Sequence, residues 1–243
     1  MFRFVQNSLF SLLYPQQCRV CSHSVDNVND GVSCGECWDK TRILSGREML
    51  CDKCGALMGE EAADVPVRCL KCDDYYFEKA IAAGVYENAL AASIIELKNS
   101  PHLDRRIRSL IQATTERNPG FFAADLIIPV PLSKQRRVER GFNQAELIAI
   151  QLGRIMGTPV DSESLSRQIN TRIHRAGMDQ KARELTVKNA FEVLRPKLVA
   201  GKNILLVDDV LTSGATTSSC ARALKKNGSG TVNVFTLARA VLN

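Results

Sequence analysis

The 243-residue sequence predicts an α/β protein with a doubly wound, mainly parallel sheet and a small N-terminal Cys-rich metal module. Three observations predict it. From residue 79 onward, apolar strand segments alternate with amphipathic helical segments, which pack as a parallel sheet covered on both faces. Eight of the nine cysteines stand in four Cys-x-x-Cys pairs ahead of that alternation. One apolar strand runs into Asp208-Asp209 and then Thr212-Ser213-Gly214-Ala215-Thr216 before a helix, the order of an anion-binding strand–turn–helix.

Residues 1–14 open the chain. Phe2, Val5, Leu9 and Leu12 or Leu13 recur at helical spacing, so a short amphipathic helix docked on the protein is expected. Gln6, Asn7, Ser8 and Ser11 interrupt the apolar stretch, and Pro15 leads straight to Cys18 with no small-residue cleavage site. That pattern does not fit a signal peptide. No stretch has the length of a transmembrane helix. A cytoplasmic protein without membrane insertion is expected.

Residues 15–77 form the metal module. The pairs are Cys18/Cys21, Cys34/Cys37, Cys51/Cys54 and Cys69/Cys72. Thiolates separated by two residues reach one tetrahedral Zn²⁺, and two pairs close a structural site, so two zinc ions are expected, with one zinc or an Fe–S cluster as the alternative. Disulfides would need an oxidising compartment, to which nothing in the sequence directs the chain. The intervals between successive pairs are 12, 13 and 14 residues, so spacing leaves the pairing open. Sequential ribbons in tandem are the simplest arrangement, and cross-bracing is the alternative. Gly55, after Cys54, suits a knuckle turn at positive φ. The ninth cysteine, Cys220, falls on an apolar helix position and reads as a buried thiol.

Residues 78–243 carry the α/β pattern. Strands are expected over 79–86, 126–130, 203–207 and 232–238. Helices are expected over 89–97, 103–115, about 143–156, about 180–188 and 216–226. Asn118-Pro119-Gly120, Gly157–Pro159 and Gly228–Gly230 punctuate them. Ligands of such sheets sit beyond the carboxyl ends of the strands, where Asp208 and the segment after Val130 fall.

Charge divides the same way. Residues 1–78 hold 8 Lys+Arg against 12 Asp+Glu, a net of −4, and residues 79–243 hold 24 against 14, a net of +10. The basic part is the one with the candidate anion turn, which suits a nucleotide or nucleic acid.

The string from Lys202 to Thr217 resembles the PRPP-binding motif of type I phosphoribosyltransferases. Two carboxylates can accept hydrogen bonds from vicinal ribose hydroxyls. The turn offers backbone N–H groups and hydroxyls to a phosphate, and Gly214 permits close approach. Three further strings extend the likeness: Ile128 to Gln144, Leu165 to Phe191, and Tyr86-Glu87 with Ile94 to Lys98. With the four Cys pairs, they make the chain similar to the ComF family of phosphoribosyltransferase-like proteins, several of them linked to DNA uptake in natural competence.

The resemblance implies a phosphoribosyltransferase-like domain of the type I kind behind a double zinc ribbon. Asp208 and Asp209 would hold the ribose, and Thr212, Ser213, Gly214, Ala215 and Thr216 the 5′-phosphate. Ser133 and Lys134 would form the pyrophosphate loop, with Arg136, Arg137 and Arg140 adding cations. Arg172, Arg175 and Arg183 would belong to a hood closing over the site and excluding water. The chemistry implied is displacement of pyrophosphate from PRPP with Mg²⁺, with no side chain acting as covalent nucleophile; the acceptor is unassigned. The alternative is a non-catalytic component that binds a nucleotide or single-stranded DNA and docks competence proteins through its zinc ribbons.

Overall fold

The computed structural model describes residues 16–25, 27–59, 66–168 and 190–241. The helices expected over 1–14 and 180–188 lie outside the described residues. The Cys-rich module contributes the short helix α1 (Gly35–Asp39) and the antiparallel strands β1 (Met49–Leu50) and β2 (Leu57–Gly59). Then follow β3 (Lys79–Val85), α2 (Asn88–Glu96), α3 (Arg105–Arg117), α4 (Pro119–Phe122), β4 (Leu126–Pro129), α5 (Lys134–Arg140) and α6 (Gln144–Met156). The chain closes with β5 (Leu165–Arg167), β6 (Phe191–Val193), α7 (Pro196–Val199), β7 (Ile204–Leu211), α8 (Ala215–Lys226) and β8 (Val232–Arg239).

The main sheet has the order β3-β8-β7-β4, with every pair parallel. Ile204 to Val207 are buried on both faces, as an inner parallel strand requires. Alternate residues serve opposite layers. Ile127, Leu205, Val207 and Phe235 pack against α2, α3 and α6, and Ile128, Leu206 and Val234 pack towards α8. Helices thus cover both faces, as the strand–helix alternation predicts.

Local signals set the helix limits. Asn143 caps α6 by accepting from the Ala145 N–H at 3.2 Å, while its amide donates to the Val130 carbonyl at 3.0 Å. Ala145, Ile148, Ala149 and Leu152 then bury one stripe. Asp104 caps α3 from the Ile107 N–H at 2.8 Å.

The module is built onto the outer edge of β3. The Leu44 N–H donates to the Ala83 carbonyl (3.0 Å), Val85 N–H to Arg42 (2.9 Å) and Ala80 N–H to Lys53 (2.7 Å). An edge that would otherwise expose its hydrogen-bonding groups is covered.

Three features depart from the sequence reading. β7 continues through the acidic pair to Leu211, because β8 pairs with it as far as Arg239. The basic stretch after Val130 winds into α5 instead of an open loop, with Ser133 as its N-cap at 3.3 Å from the Arg136 N–H. β5 and β6 form a separate antiparallel pair, three residues each, too short to show a period in sequence.

Candidate functional site

The eight paired cysteines gather into two groups, Cys18/Cys21/Cys34/Cys37 and Cys51/Cys54/Cys69/Cys72, so the pairing is sequential. Sulfur separations of 3.7 Å (Cys18–Cys37), 3.6 Å (Cys21–Cys34), 3.5 Å (Cys51–Cys72) and 3.6 Å (Cys54–Cys69) are far too long for disulfides. They match the edge of about 3.8 Å that four sulfurs make around one Zn²⁺ at about 2.3 Å. The residues therefore fit zinc. Burial opposes ionisation of Cys18 and Cys51, yet backbone N–H donors around each sulfur outweigh it and bring both thiols down to about 6. The Cys34 N–H lies 3.3 Å from the Cys18 sulfur, and Cys69 N–H 3.3 Å from Cys51. Gly55 has φ of +62°, as its knuckle turn requires.

The second centre lies at the carboxyl ends of β7 and β4. Asp208 Oδ1 accepts from the Asp209 N–H at 2.9 Å, and Asp209 Oδ1 from the Val210 N–H at 2.8 Å. Lys98, just past α2, places its Nζ 3.7 Å from Asp209. Burial, and then the neighbouring Asp209 carboxylate, push Asp208 well above the usual carboxylate range; Lys98 opposes them. On the other side of the sheet, Asp208 and Cys220 both act electrostatically on Arg167, and so does Arg136. Burial, and then the positive charge of Arg136, hold the Arg167 guanidinium below its ordinary value, while Cys220 and Asp208 oppose them. Cys220 is fully buried, and burial pushes its thiol up.

Beyond the pair the chain turns into α8. Gly214 takes φ of +72° and stands at the N-cap. Among the described residues, the backbone N–H groups of 212–217 have no protein acceptor. Thr212, Ser213 and Ala215 are exposed and Thr216 is partly so. Six consecutive free donors at the start of a 12-residue helix form a ready anion cradle.

A cleft of about 460 Å³ lined by Ile95, Lys98, Asn99, Glu139 and Arg140 adjoins the Lys98 side of the pair. A larger groove of about 510 Å³, with Glu48, Lys79 and Arg117 in its walls, touches the amino-terminal half of β3, the end from which parallel sheets do not bind ligands.

Most of the expected site residues converge. Asp208, Asp209 and residues 212–216 sit together, and Ser133 follows the neighbouring β4, buried at the head of α5 with Lys134 exposed beside it. Arg172, Arg175 and Arg183 lie outside the described residues. Arg167, Lys98, Tyr75 and Arg239 were not singled out by sequence. Arg167 and Lys98 fall within the strings quoted above, whereas nothing local marks Tyr75, at the end of the Cys module, or Arg239.

Fold and site define a class: a parallel α/β protein with an acidic pair and an anion cradle, fronted by two Cys₄ zinc-binding sites. The double zinc ribbon domain family matches residues 9–74. The DNA utilization protein YhgH of Shigella flexneri is 30% identical over 236 residues, covering 95% of this chain and 100% of the relative. Competence protein F of Haemophilus influenzae is 32% identical over 196 residues, 78% of this chain and 84% of the relative. The chain belongs to this ComF family of competence and DNA utilization proteins. Among solved structures, the allosteric regulatory enzyme of purine biosynthesis aligns over 54% of this chain at 21% identity and a TM-score of 0.37, the chain spanning 25% of that enzyme's length. A likeness of that size carries no functional argument.

Proposed function

We propose that the chain binds PRPP with Mg²⁺ as a phosphoribosyltransferase-like protein, and that this binding serves DNA uptake. One observation carries the reading: the six acceptor-free N–H groups of 212–217 lie directly beyond the paired carboxylates of Asp208 and Asp209. A phosphate monoester on those donors brings its own sugar within reach of the acidic pair. Asp208 and Asp209 then take the ribose hydroxyls, Ser133 and Lys134 the pyrophosphate, with Arg136 and Arg167 as nearby cations. Arg172, Arg175 and Arg183 close the hood. Mg²⁺ arrives on the ligand's oxygens and offsets the charge of the leaving group. As a transferase the protein would bind and orient, holding water away from a cationic sugar centre. Two groups of four reduced cysteines support a cytoplasmic setting for this binding.

The test is calorimetric titration of Mg²⁺–PRPP into the zinc protein beside an Asp208→Asn/Asp209→Asn variant. Saturable binding lost in the variant supports the reading, and no binding to the parent ends it. The second reading, a nucleotide or single-stranded DNA binder that docks partner proteins through its ribbons, draws on the net +10 of residues 79–243 and on the DNA utilization and competence names of the relatives. It requires oligonucleotide affinity that falls steeply with salt.

A further inference from the structure

Three of the cradle's donors belong to peptides whose carbonyls are held on the opposite side. Arg239 Nη1 donates to the Leu211 carbonyl at 2.7 Å and also to that of Thr212. The Tyr75 hydroxyl donates to the Ser213 carbonyl. A planar trans peptide directs its N–H opposite to its C=O. With three successive carbonyls drawn to Arg239 and Tyr75, the N–H groups of Thr212, Ser213 and Gly214 face away from that side. The Tyr75 ring also lies against Gly214, where an added Cβ would meet ring atoms at 2.7 and 2.8 Å and the hydroxyl at 3.0 Å.

Both anchors belong to the second cysteine group as much as to the turn. Arg239, 6% exposed, has its Nη2 at 3.9 Å from Cys54 Sγ. Four thiolates on one Zn²⁺ leave a net negative charge, which an arginine at that distance offsets. Tyr75 stands three residues after the last ligand, and its N–H donates to the Cys72 carbonyl at 3.1 Å. The next residue continues the contact: the Tyr76 N–H donates to Ser218 Oγ in α8 at 3.2 Å.

We propose that Arg239 and Tyr75 are positioning residues that fasten the turn 211–214 to the second zinc-binding group, so that the ribbon presets the N–H cradle for a phosphate monoester. The ligand class rests on the function proposed above; the clamp itself does not. The ribbon is thereby part of the binding site's framework, and Gly214 is required as much by the ring above it as by its φ.

The test uses the full-length, zinc-loaded protein with Tyr75→Phe, which keeps the ring, and Arg239→Lys, which keeps the charge. Zinc content is measured, with calorimetric affinities for ribose 5-phosphate and pyrophosphate, and ¹⁵N order parameters of the Ser213 and Gly214 amides without ligand. Both variants are expected to retain two zinc ions and to bind ribose 5-phosphate about tenfold more weakly, the size of one lost hydrogen bond. Pyrophosphate affinity should stay within about twofold. The order parameters should fall from about 0.85 towards 0.6. Unchanged order parameters together with unchanged ribose 5-phosphate affinity overturn the clamp, as does an equal loss for both ligands. If the parent binds no phosphate ester, the PRPP reading falls, and the order parameters alone decide the clamp.

Discussion

The two cysteine groups share one local chemistry and differ in what they touch. Each offers four sulfurs at tetrahedral spacing, with backbone N–H donors on its first cysteine. The first packs through Cys18, Cys34 and Trp38 into the layer of α2 and α3, and meets the site only at a distance, through α2 and Lys98. The second touches the turn directly through Arg239 and Tyr75. Identical metal chemistry can therefore serve as scaffold in one place and as the wall of a site in another. Neighbours decide which.

The largest expected effect separates the two groups. Cys18→Ser/Cys21→Ser and Cys51→Ser/Cys54→Ser should each leave one zinc per chain. Each should lower the melting temperature sharply, since structural zinc can supply about 10–16 kcal/mol of apparent binding energy to a small module. Only the second variant is expected to abolish ribose 5-phosphate binding while the far-ultraviolet dichroism of the α/β core persists. Equal binding by the two would break the distinction.

Next comes the acidic pair, which the second group does not reach. Asp208→Asn should abolish Mg²⁺–PRPP binding and raise the melting temperature of the unliganded protein. Burial and Asp209 lift the folded pKa of Asp208 above its unfolded value, so unfolding releases a proton. The parent's stability from this group falls as pH rises through that window, and the Asn variant should lack the slope. A variant less stable than the parent at neutral pH would show that the pair is not held at a cost to the fold.

Much of this was legible in sequence because local patterns carry it. The Cys-x-x-Cys spacing gave the ligands, and strand–helix alternation gave the parallel sheet, both of them short-range regularities. The course of β7 past Asp209 was not legible: its length is set by pairing with β8, a neighbour from the end of the chain. Nor was α5, whose residues 134–140 bury no side chain and so show no apolar stripe. Tyr75 and Arg239 are separated from the turn by 138 and 27 residues, and only the folded chain brings their hydrogen bonds onto it. Sequence named the donors of the cradle; the groups that aim them are long-range.

The smallest effect sharpens the insulation of the first group. Arg42, beyond its last cysteine, grips Glu87 at the head of α2 with Nε–Oε1 at 2.9 Å and Nη2–Oε2 at 2.7 Å. The Arg42 hydrogen bonds hold Glu87 below the usual carboxylate range. A depressed folded pKa means stability present above the unfolded value, and lost as pH falls through the folded one. Glu87→Gln should cost about 0.5–1 kcal/mol at neutral pH, since Arg42 is 55% exposed and solvent screens the pair. The difference from the parent should shrink in high salt and vanish in acid, as urea titrations at several pH values would read. Ribose 5-phosphate affinity should not move, because α2 is held from several sides: Lys98 also meets Asp209, and Arg19 meets Glu96 at 2.6 Å. A tenfold loss of affinity in Glu87→Gln would mean that the first group steers the acidic pair through α2, and that both ribbons, not one, shape the site.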